Sequence, residues 1–149
     1  MNESEASQSA ESLLISTFSL KQALYGLSTN QVHEIVRTGE ITPVSGSQPF
    51  VLGIMNLRGR IITILDLGEK IGLGPCESLE RRILIVDWKD EYLGLVVDSV
   101  SDVVEVTTTE IAPAPANVQG IQSIVIEGVA QVNNKLIALL NLEKVLGTA

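Results

Sequence analysis

His33 is the only histidine and Cys76 the only cysteine in the chain, so proton relay and thiol chemistry each have a single candidate. His33 lies in Val32-His33-Glu34-Ile35, where alternation turns it away from Val32 and Glu34 or into a loop. Imidazole titrates near neutral pH, yet no second group of matching type accompanies it, and a solvent-facing or interface side chain is expected. Cys76 sits in Gly74-Pro75-Cys76-Glu77, with no Lys or Arg before Arg81 and Arg82 to lower its pKa, and reads as an incidental loop thiol. One Cys and one His allow neither an internal disulfide nor a Cys/His zinc site within one chain. The carboxylates are scattered, and Gly68, Gly72 and Gly74 are not followed by the Lys-Ser/Thr of a phosphate loop. The inventory points away from an enzyme and from any cofactor or metal.

One group stands apart. Asn56-Leu57-Arg58-Gly59-Arg60 reads as a hairpin turn that carries Arg58 between a core-type leucine and a turn-type glycine. Either Arg58 is a solvated turn residue of little energetic weight, or its guanidinium fork is held out on a rigid hairpin for a carboxylate or a carbonyl. The residues alone leave both readings open.

Charge and composition narrow the partners. The 149 residues include 10 Lys and Arg against 18 Asp and Glu, a net charge of -8, and 45% are hydrophobic. So acidic a chain lacks the basic footprint of a nucleic-acid binder, and its 3% aromatic content offers few stacking platforms. Residues 1–12 read as a disordered acidic tail, with neither the apolar stretch of a secretory signal nor the arginines of a transit peptide. Apolar runs such as Leu136-Ile137-Ala138-Leu139-Leu140 fall far short of the roughly 20 residues that span a bilayer. A soluble cytoplasmic protein without direct membrane insertion is expected.

The elements that would hold Arg58 are strands. Apolar runs rich in Val and Ile cover Leu13–Leu20, Val32–Val36, Ile61–Leu65, Ile83–Val86, Leu93–Val97, Val103–Val106, Ile124–Val132 and Leu136–Leu140. Turn formers punctuate them, the pattern of an all-β barrel or sandwich. Two segments, Leu67–Ile71 and Leu142–Leu146, read as short helices. Asp66 and Asn141 stand where N-caps belong, and Gly72 and Gly147 where C-caps belong.

The chain also repeats itself. A shift of 75 residues lays Gly53–Gly72 on Gly128–Gly147 without a gap, with Gly53/Gly128, Ile62/Ile137, Leu65/Leu140, Leu67/Leu142 and Gly72/Gly147 identical. Upstream, Gly26-Leu27, Val32, Glu34, Ile35 and Val36 correspond to Gly94-Leu95, Val100, Asp102, Val103 and Val104. Ile41-Thr42-Pro43 corresponds to Ile111-Ala112-Pro113. The repeat predicts two pseudo-symmetric β-barrels, about 14–75 and 80–147, within one domain over 13–149. Halves this small bury little core alone, so they should share an apolar interface, with room at the seam for exchanged helix and strand ends. Closing each barrel would remove its open edges.

The segment Gly53-Ile54-Met55-Asn56-Leu57-Arg58-Gly59, followed by Ile61–Leu65 and Asp66-Leu67, resembles the G-x-x-N-L-R-G and D-L hallmark of the CheW family, adaptors that couple bacterial chemoreceptors to the histidine kinase CheA. Gly94 to Val103 resembles that family's G-x-x-V-D-x-V-x-x-V, Ile111-Ala112-Pro113-Ala114-Pro115 its I-x-P-x-P, and Asn141–Leu146 its closing helix. The resemblance covers about residues 14–147. It implies two five-stranded SH3-like barrels with short closing helices, no catalytic activity, and recruitment to membrane receptor arrays through partners. It also implies that the receptor's cytoplasmic tip, a helical hairpin, docks between the barrels against Val32, Glu34, Ile35, Arg58, Gly94, Val100 and Val103. The kinase's regulatory domain would then dock on barrel loops, at Ile41, Thr42, Pro43 and Val44. Apolar valines and isoleucine would supply area, and Arg58 with Glu34 orientation. An SH3-like peptide-binding scaffold of another pathway is the alternative, weakened by the shortage of aromatics that line proline-rich grooves. A serine hydrolase is weaker still, for want of a placed histidine.

Overall fold

The computed structural model describes residues 11–114, 117–118 and 121–147, so the expected tail lies outside the described residues as far as Ala10, and so does Pro115. Among the described residues strands dominate: β1 (Ser12–Leu20), β2 (Ala23–Ser28), β3 (Val32–Arg37), β4 (Val51–Leu57), β5 (Arg60–Asp66), β6 (Arg82–Trp88), β7 (Glu91–Val97), β8 (Ser99–Thr107), β9 (Ile111–Ala112), β10 (Asn117–Val118), β11 (Ile121–Gln122), β12 (Ile126–Val132) and β13 (Lys135–Leu140). Two short helices, α1 (Leu67–Lys70) and α2 (Leu142–Gly147), sit where the caps place them. The Asp66 carboxylate accepts the Glu69 N–H, and the Asn141 amide oxygen accepts the Lys144 N–H. No helix among the described residues is long and apolar enough to cross a membrane.

The strands form two main sheets, a first in the order β3-β6-β7-β5-β4 and a second in the order β8-β1-β2-β13-β12-β9, with β10 and β11 paired apart. The repeat maps one order onto the other, since β3, β6, β7, β5 and β4 correspond to β8, β1, β2, β13 and β12. Each sheet therefore takes its central hairpin from the other half of the chain: β6–β7 completes the first sheet and β1–β2 the second. The joints are parallel, β5 on β7 through Ile64↔Gly94 and β13 on β2 through Leu139↔Gly26. Even the irregularities repeat. β-Bulges fall at Val51/Gly53 and at Ile126/Gly128, and again at Val32/Glu34 on β3 and opposite Ser16/Phe18 on β8.

Among the described residues neither ladder closes on itself into a hydrogen-bonded barrel; both sheets nevertheless curl. In the first, Val36 on one edge strand and Leu52, Met55 and Leu57 on the other meet in one core with Ile62, Ile64, Ile83, Ile85 and Val96. Flat, those edges would lie roughly 19 Å apart at 4.8 Å per strand. The second sheet curls likewise around Ile15, Val106, Ala130, Ile137 and Leu139. Between the sheets lies the largest core. It is built from Leu65, Leu84, Val86, Leu95 and Val97 of the first sheet, Phe18, Leu20, Tyr25, Leu27 and Leu140 of the second, and Leu67, Leu142 and Val145 of the helices. Residues 83–86 are continuously apolar because both faces of β6 are buried, one in its own curl and one in the seam.

Candidate functional site

The hairpin that carries Arg58 owes its shape to its neighbours. Gly53 stands at a bulge with φ +145°, where an added Cβ would lie 2.1 Å from the Thr42 carbonyl oxygen. Only glycine permits this, and it lets Thr42 and Ile54 exchange two backbone hydrogen bonds of 2.9 Å. Asn56 accepts the Gly59 N–H at 2.8 Å and so ties the turn shut. Leu57 packs on the core of the first sheet. Arg58 and Gly59 both take positive φ, +52° and +86°, as a two-residue hairpin of this twist demands.

Arg58 is thereby projected back across the open seam of the curled sheet. Its guanidinium forms an ion pair with Glu34 on β3, so a side-chain contact joins the edge strands that no ladder joins. Arg58 keeps 67% of its side-chain surface exposed, Glu34 27%. His33, the extra residue of the β3 bulge, is re-aimed by it and stacks on Tyr92 of β7, ring centroids 4.6 Å apart. The Arg60 guanidinium lies 4.5 Å from the same ring, and His33 Nε2 stands 3.9 Å from the Glu34 carboxylate. Glu34, Arg58, Arg60, His33 and Tyr92 thus form one polar and aromatic patch around the mouth of the seam.

The other expected receptor-facing residues divide. Val32 and Val100, related by the repeat, are half-buried against the shared core. Ile35 and Val103, also related by the repeat, are exposed at 42% and 57% on edge strands of the two different sheets. Gly94 is buried: its missing side chain makes room at the parallel joint, where a Cβ would come within 2.6 Å of Ile64 and 2.8 Å of Ile83. Among the residues expected to face the kinase, Ile41 packs on the core of the first sheet, while Thr42, Pro43 and Val44 are exposed beside it.

Cys76 is half-buried, and its N–H donates to the buried Asp66 carboxylate at 2.8 Å. Burial, with Asp98 and Asp66 close by, pushes its thiol up to about 11, which leaves it protonated and unreactive at neutral pH. Sequence reasoning missed the Glu34–Arg58 pair and the Tyr92 patch. Their partners lie 24 and 59 residues apart on strands that no local pattern pairs.

The chain matches the family model described as the CheW-like domain over residues 15–149. It is 33% identical over 123 residues to the chemotaxis protein CheW of Bacillus subtilis (strain 168), covering 82% of this chain and 79% of that one. It is 30% identical over 132 residues to the chemotaxis protein CheW of Klebsiella aerogenes, covering 88% and 80%. The crystal structure of the scaffolding protein TtCheW from Thermoanaerobacter tengcongensis superposes with a TM-score of 0.80 at 36% identity, covering 89% of this chain and 86% of that one. With the repeat, the N-L-R-G hairpin and the buried Asp66 cap all inside the matched span, the chain belongs to the CheW-like domain family.

Proposed function

We propose that this chain is a non-catalytic chemotaxis adaptor that couples the cytoplasmic tip of chemoreceptors to the regulatory domain of the histidine kinase CheA. In this reading it works in the cytoplasm and reaches membrane receptor arrays only through those partners. The observation that carries the reading is the Arg58 guanidinium, held by a rigid hairpin at the mouth of the seam and only partly used by Glu34. A planar fork on a fixed backbone can donate to a second carboxylate or a helix-terminal carbonyl without reorganising.

The receptor hairpin would lie against Ile35 and Val103, with Val32 and Val100 beneath and Glu34 and Arg58 setting its orientation, while Gly94 would serve the groove only indirectly, through the packing of the parallel joint. The kinase domain would take the Ile41–Val44 stretch, where exposed Pro43 and Val44 sit on a backbone tied to Ile54. The curl of each sheet, with all its strands feeding one interior core, supports describing the two halves of the fold as SH3-like barrels joined by side chains at their mouths. The test is a pull-down with a purified receptor cytoplasmic fragment and kinase, paired with kinase autophosphorylation. Capture of both partners and receptor-dependent change in autophosphorylation are expected. Failure to alter autophosphorylation with both partners present would end the adaptor reading.

A further inference from the structure

Although the chain is acidic, three of its ten basic residues gather at one end of a single ladder. Arg37 on β3 stands directly opposite Arg82 on β6, and Arg81 precedes it. Like charges directly opposite each other on a sheet repel. Among the described residues, neither Arg37 nor Arg82 has a carboxylate within ion-pair distance, in contrast to Lys21 with Glu77 and Arg58 with Glu34. Arg82 instead donates from Nη1 to the carbonyls of Glu80 and Arg81, at 3.1 and 2.9 Å, which fixes its fork in place. Ile35, two residues before Arg37 and past the bulge, projects from the same face of β3 and is 42% exposed.

We propose that Ile35, Arg37 and Arg82 form a cationic and aliphatic strip that docks a carboxylate-bearing helix of a protein partner. The spacing fits. Alternate residues of a strand lie about 6.8 Å apart, and one turn of helix from i to i+4 rises about 6 Å. A helix with an aliphatic side chain and a glutamate one turn apart would set the first on Ile35 and the second between the two guanidinium forks, where the unpaired positive charge becomes an attraction. The 3% aromatic content leaves few platforms on which bases could stack, which favours an acidic protein segment over single-stranded nucleic acid. The inference rests on the adaptor reading for the partner being helical, and adds the charge that helix must carry at this end of the groove.

The test uses the full-length protein and two synthetic 20-residue amphipathic helical peptides, one with glutamates four residues from its leucines and one with glutamines in their place. Fluorescence anisotropy should give the glutamate peptide at least tenfold the affinity, an advantage that shrinks as salt is raised. Arg37→Gln and Arg82→Gln should each erase most of the preference without lowering the melting temperature, and Arg37→Lys should restore part of it. Equal affinity of the wild type for both peptides, a preference that survives both variants, or tighter binding of inorganic polyphosphate than of the glutamate peptide would overturn the strip. A protein that prefers the glutamate peptide yet leaves kinase autophosphorylation unmoved would keep the strip and lose the adaptor role; the reverse result would do the opposite.

Discussion

At the scale of single residues, Arg58 carries two opposing contributions. A non-glycine residue in the left-handed region costs about 1 kcal/mol, and Arg58 sits there at φ +52°. Its pair with Glu34, two-thirds exposed on the arginine side, returns at most about 1 kcal/mol. The repeat shows what the turn accepts when no guanidinium is needed: Asn133 and Asn134, at φ +52° and +64°, a residue type that tolerates this backbone well. Replacing Arg58 by Asn should therefore leave thermal unfolding within about 3 °C of the parent. The same change should weaken capture of a receptor fragment by about tenfold or more. A large loss of melting temperature would make Arg58 a structural residue, and unchanged capture would remove it from the interface. The same comparison explains three letters of the motif, Gly53 for the approach of Thr42, Asn56 for the turn and Leu57 for the core, whereas Arg58 contributes to the fold only through its exposed pair with Glu34.

At the scale of elements, much was legible in the sequence because it is local. The two short helices follow from their N-caps Asp66 and Asn141, with Gly72 beyond the first while Gly147, expected as a cap, is the last residue of the second, and the strands follow from β-branched runs between turn residues. The repeat even carries the bulges, whose glycines at 53 and 128 are identical. Exchange of helix and strand ends at the seam could be anticipated, but the exchange of whole hairpins was not legible. β1–β2 and β6–β7 have equivalent patterns, so either hairpin would satisfy either sheet as far as alternation can tell, and a parallel joint leaves no turn in the chain to mark it. The pattern leaves closure open for a similar reason: it specifies two buried faces, which a curled sheet with side-chain contacts across its mouth provides as well as a ladder does. Gly94 lies at the joint and gives the element-scale prediction. A methyl there would press on Ile64 and Ile83 in a packed interior, so Gly94→Ala should cost about 1–3 kcal/mol. Receptor affinity measured well below the transition should be unchanged. Weaker binding at full stability would instead make Gly94 part of the contact surface.

At the scale of the whole molecule, exchange and shared core lead to the same expectation, that neither half is a folding unit. A chain ending in the linker near Glu77 would hold β3, β4 and β5 but lack the β6–β7 hairpin at the centre of their sheet. The remainder would lack β1 and β2 in the same way. Leu65 and Leu140, repeat partners on different sheets, are 7% and 3% exposed and meet in the one core between them. Truncating either to alanine removes buried methyl groups from that common core and should cost about 2–5 kcal/mol. Because both sheets draw on it, calorimetry of either variant should show one transition moved down as a whole, with equal van't Hoff and calorimetric enthalpies. Separately produced fragments 1–77 and 78–149 should each lack cooperative unfolding and regain it when mixed, since each supplies the other's missing hairpin. Two resolved transitions, or one fragment folding alone, would mean that the seam is a contact between finished domains. An adaptor built that way could flex at the seam, whereas one cooperative unit fixes Ile35 on the first sheet relative to Val103 on the second, so that a partner helix laid against both, as proposed, meets a surface of constant geometry.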